Sequence, residues 1–294
     1  MKKQLLWVVF AGMLLVVMGI LGTGVRAQQE IVFGVIPLED ARTMYTKFKP
    51  LADYLTAQTG VTFTLRVGKD YQATADEMGN GTAQIAYLTP TVYPKSERQN
   101  PDAKITPIVR FLKSGAGTHK SYIIVPSDSP VQTVAELKGK KFAFGSKDST
   151  ASHLMPRSML VAAGIDIDKD LAGYEYLGSH TNVVKAVAAK THDAGGLNDG
   201  VAEKFIAEGG AVRVIAKSSD IPEFPICVNK SLSPAMVEMI RVALFKLNDK
   251  SPASVAVLTA MDPKYNGVEV TKSEDYDVIR AMIQKLYGDD FYKK

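Results

Sequence analysis

The sequence has one cysteine, Cys227, among its 294 residues. A single cysteine excludes an intramolecular disulfide, a cysteine-rich zinc site and an iron–sulfur cluster. Several enzyme motifs are also missing: there is no G-x-S-x-G, no H-E-x-x-H, no Walker loop and no G-x-G-x-x-G. The sequence therefore predicts a binding protein rather than an enzyme, with no catalytic residue and no cofactor.

Net charge is nearly absent once the first 27 residues are set aside. The 35 basic residues include Lys2, Lys3 and Arg26, and no acidic residue precedes residue 28, so 32 basic residues remain against 31 acidic ones. Such a chain lacks the basic footprint of a nucleic-acid-binding protein. Its 46% hydrophobic and 22% charged residues are typical of a globular protein.

The N-terminus has the parts of a secretory signal peptide. Lys2 and Lys3 form a charged start, Leu5–Leu21 is apolar, and Ala27 is a small residue before a cleavage point. The sequence therefore predicts a signal peptide over 1–27 and a periplasmic mature protein. Because the apolar run is long for a signal peptide, an uncleaved membrane anchor is the less favoured alternative.

The rest of the sequence alternates short apolar runs with amphipathic stretches. The runs Ile31–Val35, Val61–Val67 and Ile85–Leu88 are predicted to be strands. Ala41–Thr59 is predicted to be a helix that Pro50 kinks or splits. Alternation of strands and helices predicts an α/β fold with mainly parallel sheets.

The same order of elements then recurs. Phe144 and Gly164 repeat the places of Phe33 and Gly60, at offsets of 111 and 104 residues. The near-repeat predicts two lobes of one plan, although any two α/β units share this general order. Three helices predicted after Pro225 have too few strands for a third domain, so we expect them to return to the first lobe. Ligands of open α/β sheets bind beyond the carboxyl ends of the strands, which places the site in the cleft between the lobes.

Three hydroxyl side chains lie where a predicted strand of the second lobe meets the next helix: those of Ser149, Thr150 and Ser152. A helix N-terminus offers unpaired N–H groups and a partial positive charge, which suit a tetrahedral oxyanion. The alternative is that Asp148 or Ser149 only caps the helix. Both interpretations fit the residues themselves.

Several segments, taken together, resemble the periplasmic phosphonate- and phosphite-binding proteins of ABC transporters. The resemblance extends in order over the chain after residue 27, and it rests on Phe48–Leu55, Asp128–Pro130, Leu137–Gly145, Ser149–Pro156 and Gly178–Asn182. It implies the two-lobed clamshell of the type II periplasmic binding proteins.

The N-terminal pattern and two expected crossings between the lobes, near 115–121 and 222–228, give a division of the chain. We expect a signal peptide over 1–27, the first part of lobe 1 over 28–118, lobe 2 over 119–226, and return helices of lobe 1 over 227–294.

A ligand site follows from the same resemblance. Tyr71 matches the family's ligand-contacting tyrosine, His180 its histidine, and His119 an aromatic residue at the crossing between lobes. The family's hydroxyl trio matches Ser149, Thr150 and Ala151, so one hydroxyl is lost here, and Ser152 is the candidate to compensate for it. The expected ligand-binding residues are Tyr71, His119, Ser149, Thr150, Ala151, Ser152, His180 and Asp199.

Family members that bind aminoethylphosphonate carry two acidic residues, which align near Gly200 and Phe224. Neither residue is acidic here, and Asp199 is the neighbour that could substitute for the first. The departure argues against aminoethylphosphonate and leaves the anion open.

Three histidines, His119, His153 and His180, are expected near the cleft, and a histidine cluster invites a metal interpretation. They lack the local spacing of metal ligands, so we expect no metal. The expected protein is a monomeric receptor that delivers a phosphonate, phosphite or phosphate-like anion to an ABC permease. The alternative is an adaptor that reports the ligand to a membrane histidine kinase.

The signal-peptide interpretation predicts a native protein that begins at Gln28, because the peptidase cleaves after a small residue such as Ala27. Intact-mass spectrometry of the protein from its own cells measures this directly. A full-length mass recovered from the membrane fraction would instead establish an anchor.

Overall fold

Two β-sheets flanked by helices organise residues 30–293, the part of the chain that this computed structural model describes. The predicted signal peptide lies outside the described residues. The strands are β1 Glu30–Val35, β2 Thr62–Val67, β3 Ile85–Tyr87, β4 Thr106–Lys113, β5 Thr118–His119, β6 Ser121–Pro126, β7 Lys141–Phe144, β8 Gly173–Tyr176, β9 Ala194–Asn198, β10 Val212–Lys217, β11 Ile221–Pro222, β12 Pro225–Val228 and β13 Tyr265–Val270.

The α-helices are α1 Ala41–Thr59, α2 Tyr71–Asn80, α3 Val92–Gln99, α4 Met155–Ala162, α5 His180–Ala188, α6 Asp199–Ala207, α7 Pro234–Lys246, α8 Pro252–Met261 and α9 Asp277–Tyr287. A short π-helix, Thr150–Leu154, leads into α4. Within residues 30–293, no helix is both long and apolar enough to cross a bilayer.

The α/β class is confirmed, but the expectation of mainly parallel sheets is wrong. The first sheet has the order β13-β4-β12-β3-β1-β2, and the second has the order β10-β6-β9-β7-β8. In the first, β1 is parallel to β2 and β3, whereas β12 is antiparallel to β3 and β4. In the second, β7 is parallel to β8 and β9, whereas β6 is antiparallel to β9 and β10.

The antiparallel pairs have a topological cause. A strand that arrives from the other lobe enters its sheet at the cleft edge, where the parallel strands end, so it must run opposite to them. The chain passes between the sheets twice, after β4 and after β10, and β5 and β11 pair antiparallel beside these crossings. The lobe boundaries at 118/119 and 226/227 stay a prediction.

The first helix shows how local sequence builds one wall of the cleft. Asp40 caps α1 by accepting the Thr43 N–H, and Gly60 ends it with a φ of 70°. The helix is continuous through Pro50, so the expectation of a split is wrong. Its apolar stripe packs into the core of the first sheet through Met44, Phe48, Leu51 and Leu55.

The last helix contacts both lobes. On the side of the first lobe, Arg280 of α9 pairs with Glu97 of α3 at 2.6 Å. On the side of the second lobe, Ile279 and Ile283 join an apolar cluster with Leu154 and other residues that lead into α4. The return segment was expected to cover lobe 1; its final helix also packs against the hydroxyl-rich turn of lobe 2.

Candidate functional site

The hydroxyl-rich turn begins where β7 ends at the cleft. Ser149 is the N-cap of the π-helix, and its Oγ accepts the Ser152 N–H at 3.0 Å. Ser149 therefore caps this helix, as the alternative to ligand binding predicts. An accepted hydrogen bond uses a lone pair of the hydroxyl and leaves its hydrogen for another acceptor. Capping and ligand binding by Ser149 are thus compatible.

His180 opens α5 and is fully buried. Its Nδ1 accepts the backbone N–H of Asn198 at 2.9 Å, and an amide N–H can only donate, so the ring proton of the neutral imidazole is on Nε2. That Nε2 lies 3.2 Å from Ser149 Oγ. Burial, followed by the nearby His119, lowers the pKa of His180 to about 3. The imidazole is therefore a neutral hydrogen-bond donor at physiological pH.

Tyr71 is the first residue of α2, and its side chain is buried. Among the described residues, its Oη has no hydrogen-bond partner of acceptable geometry. Burial raises the pKa of Tyr71, while the adjacent Ser149 hydroxyl acts in the opposite direction. The phenol keeps its proton and can donate it. A buried hydroxyl without a partner is costly, so this one points to a ligand atom.

The other members of the predicted hydroxyl group have partners within the protein. Thr150 Oγ1 accepts the Thr91 N–H at 2.9 Å and lies 2.8 Å from Thr91 Oγ1, so it joins the two lobes. Ser152 Oγ donates to the Gly196 carbonyl at 2.5 Å, which leaves no hydrogen to replace the lost hydroxyl. Ala151 is buried in the apolar cluster beside α9. Only Ser149 of this group meets Tyr71 and His180.

His119 of β5 approaches a buried acid that the sequence analysis missed. Its Nδ1 lies 3.2 Å from Glu223 Oε2, and Glu223 Oε1 accepts the Tyr265 hydroxyl at 2.8 Å. Among residues 30–293, both ring nitrogens of His119 and Glu223 Oε2 lack a partner of hydrogen-bond geometry, so the 3.2 Å contact is an ion-pair approach and not a formed hydrogen bond. Burial alone would raise the pKa of Glu223, but pairing with His119 holds it below the ordinary value. The sequence feature that could have indicated this buried acid is its position between Pro222 and Phe224 in an otherwise apolar stretch.

Asp199, the candidate substitute acid, is paired across the cleft. Its Oδ1 lies 2.7 Å from Lys113 Nζ, and its Oδ2 accepts the Lys120 N–H at 3.3 Å. Burial would raise the pKa of Asp199, and the Lys113 ammonium brings it below the ordinary value. Both carboxylates next to the family's two acidic positions, Asp199 and Glu223, therefore have partners within the chain.

His153, the third histidine expected near the cleft, contacts the end of the last helix, α9, instead. His153 donates from Nδ1 to the Lys147 carbonyl, and its Nε2 accepts the hydroxyls of Tyr176 and Tyr287. Over the described range, no group of three or more His, Cys, Asp or Glu side chains is arranged to hold a metal ion.

A cavity of about 360 Å³ lies between the two lobes. Such a volume is typical of small-molecule sites. His180 lines it and also contacts Ser149, so the histidine connects the cavity to the buried group of donors. Its other lining residues come from both lobes and include Phe48, Tyr87, Phe224, Asn198 and Val201.

Comparisons with known proteins agree with this architecture. A model of the family described as "ABC transporter, phosphonate, periplasmic substrate-binding protein" matches residues 33–276. The phosphate-import protein PhnD of Mycolicibacterium smegmatis is 24% identical over 228 residues, which cover 72% of this chain and 70% of that protein.

Two solved structures show the same fold. The binding-protein component of a phosphonate ABC transporter from Pseudomonas aeruginosa has a TM-score of 0.79 at 21% identity, covering 90% of this chain and 88% of that one. A Prochlorococcus marinus phosphonate-binding relative, solved with methylphosphonate, has a TM-score of 0.80 at 18% identity, covering 89% of this chain and 99% of that one.

These matches confirm the two-lobed fold of the type II periplasmic binding proteins and favour a transport receptor over an enzyme or a kinase adaptor. The matched family model spans most of the chain and all of the elements that build the cleft. The chain belongs to the family of periplasmic substrate-binding proteins of phosphonate ABC transporters.

Proposed function

We propose that this protein captures a tetrahedral oxyanion of the phosphonate class in its cleft and delivers it to an ABC permease. The observation that carries the proposal is the buried Tyr71 hydroxyl, which lies next to the Ser149–His180 pair and has no hydrogen-bond partner among residues 30–293. The bound methylphosphonate of the Prochlorococcus marinus relative and the phosphate-import name of the Mycolicibacterium smegmatis relative support this ligand class.

The proposed site binds its anion with neutral donors. Tyr71 and Ser149 each offer an O–H, His180 offers its Nε2–H, and the adjacent helix N-terminus adds a partial positive charge. Hydrogen bonds from neutral donors to an anion are charge-assisted and stronger than those between neutral groups. His119 is not counted among these donors, because its Nδ1 faces the Glu223 carboxylate and a neutral imidazole then carries no proton on Nε2.

Binding and lobe closure are coupled in this account. Thr150 of the second lobe bonds to Thr91 of the first, and the neighbouring Asp148 pairs with Lys95 at 2.5 Å. Both contacts adjoin Ser149, so an anion that draws Ser149 toward Tyr71 also brings these partners together. A ligand that interacts better with the closed arrangement shifts the population toward it.

We propose further that the mature receptor begins at Gln28, works in the periplasm as a monomer, and meets the permease in its closed form. The charged and apolar N-terminal segment of the sequence supports export.

Replacing Tyr71 with phenylalanine tests the site. Tyr71→Phe removes a hydroxyl with no partner among residues 30–293, so the free energy of unfolding should stay the same or rise. Losing one charge-assisted hydrogen bond should weaken methylphosphonate binding by about 10- to 100-fold. Titration calorimetry and urea unfolding measure the two quantities.

Tyr93→Phe is the matched control for that variant. Tyr93 is also buried, but its hydroxyl bonds to Glu97 and Ser273 beside α9. The control should lower stability and leave affinity unchanged. If Tyr71→Phe destabilised the protein and kept the wild-type dissociation constant, Tyr71 would be a structural residue only.

The pairing of both buried acids predicts no preference for an amine. Because Asp199 and Glu223 are already paired with Lys113 and His119, aminoethylphosphonate should bind no better than propylphosphonate, in which a methyl group replaces the ammonium. Parallel calorimetric titrations compare the two ligands of equal length. Tighter binding of the amine would mean that one of these carboxylates is released to the ligand.

A further inference from the structure

The cavity is larger than a small tetrahedral anion requires. Its volume of about 360 Å³ corresponds to about twelve water molecules at their liquid density of ~30 Å³ each. Of the proposed donors, His180 lines this space, and Ser149 lies behind it at 3.2 Å from its Nε2. A phosphonate held by His180 would therefore leave most of the cavity to its substituent.

Aromatic rings form one wall of that space. Phe48 and Tyr87 lie with ring centroids 4.7 Å apart, and Tyr87 stacks on Phe224 at 5.0 Å with an interplanar angle of 9°. The hydroxyl of Tyr87 is already bonded to that of Tyr265, so the wall presents carbon rather than an unpaired polar group. A surface of this kind favours aliphatic or aromatic groups.

Aliphatic side chains continue the wall toward the donors. Leu38 lines the cavity, and its backbone carbonyl accepts the His180 N–H at 3.2 Å, so this leucine stands directly beside the proposed anion site. Val201 faces the same cavity from the second lobe, and Met44 and Met261 do so from the first.

The charged residues near the opening pair with one another. Lys264 of the first lobe pairs with Glu203 of the second at 2.5 Å, and Lys47 pairs with Glu39. Lys113 Nζ and Asp262 Oδ2, on two other lining residues, lie 3.7 Å apart. Glu223 also lines the cavity; it accepts the Tyr265 hydroxyl and lies 3.2 Å from His119. Because each of these charged groups has a counterpart within the protein, they do not call for a charged substituent.

We propose that the cleft is built for phosphonates that carry an aliphatic or aromatic substituent, with the phosphonate group at His180 and the substituent between Leu38, Val201 and the Phe48–Tyr87–Phe224 wall. This inference rests on the proposed function, because the same donors hold the anion. It adds the chemical class of the group attached to phosphorus.

A series of ligands tests the inference: methyl-, propyl- and phenylphosphonate, titrated by calorimetry into the full mature chain. Each buried methylene should strengthen binding by about fourfold, so propylphosphonate, with two more methylenes, should bind about 15-fold more tightly than methylphosphonate. Phenylphosphonate should also bind more tightly than methylphosphonate.

Leu38→Ser makes the wall polar at a half-buried position and keeps the backbone carbonyl that receives the His180 N–H. It should reduce the advantage of propyl- over methylphosphonate to about threefold or less. Val201→Ser is a second variant for the same test. Val242→Ser, at an exposed valine of α7, is the matched control and should keep the wild-type ratio.

The results separate this inference from the proposed function. If methylphosphonate binds and the longer ligands bind equally or more weakly, the inference is overturned while the anion site stands. If the wild-type ratio persists in both Leu38→Ser and Val201→Ser, the cavity wall does not contact the substituent and the inference also fails. If no phosphonate binds, the proposed function fails and the inference falls with it.

Discussion

The hydrogen bond from the Asn198 amide to His180 Nδ1 is the contact on which the proposed anion site depends. It fixes the imidazole proton on Nε2, and burial keeps the ring neutral, so His180 offers one donor and no charge. Ser149 Oγ lies 3.2 Å from that Nε2 and accepts the Ser152 amide, which leaves its own hydrogen free. Tyr71 lies beside it, with a hydroxyl that has no hydrogen-bond partner in the described part of the chain. In the proposed site, selectivity for an anion would come from the direction of these donors and not from a buried cation.

Charged residues of the cleft form ion pairs between the two lobes. Lys113 joins Asp199, Lys95 joins Asp148, and Lys264 joins Glu203, and each pair links the first lobe to the second. An ion pair across the cleft forms only when the lobes approach, so these pairs stabilise the arrangement in which Tyr71 meets Ser149. The ligand site and the closing surface are adjacent and can respond together.

Local sequence was enough to predict part of this site. Ser149 and His180 begin helices that follow strands, and Tyr71 begins α2, so their positions at the cleft follow from strand and helix periodicity together with the family resemblance. The partners of Thr150 and Asp199 could not be predicted, because Thr91 and Lys113 are distant in the sequence and meet them only across the cleft. The mixed sheets were missed for a related reason: strand direction depends on where the chain re-enters a lobe, which periodicity does not encode.

The central claim is that a neutral His180 donates from Nε2 to the anion. Nitrogen-15 NMR of histidine-labelled protein, with and without methylphosphonate from pH 5 to pH 8, measures it most directly. A pKa lowered to about 3 means that the ring stays uncharged over this whole range, so the account predicts one protonated nitrogen in both states and no titration. An imidazolium with both nitrogens protonated, whether at pH 5 or on adding the ligand, would contradict it.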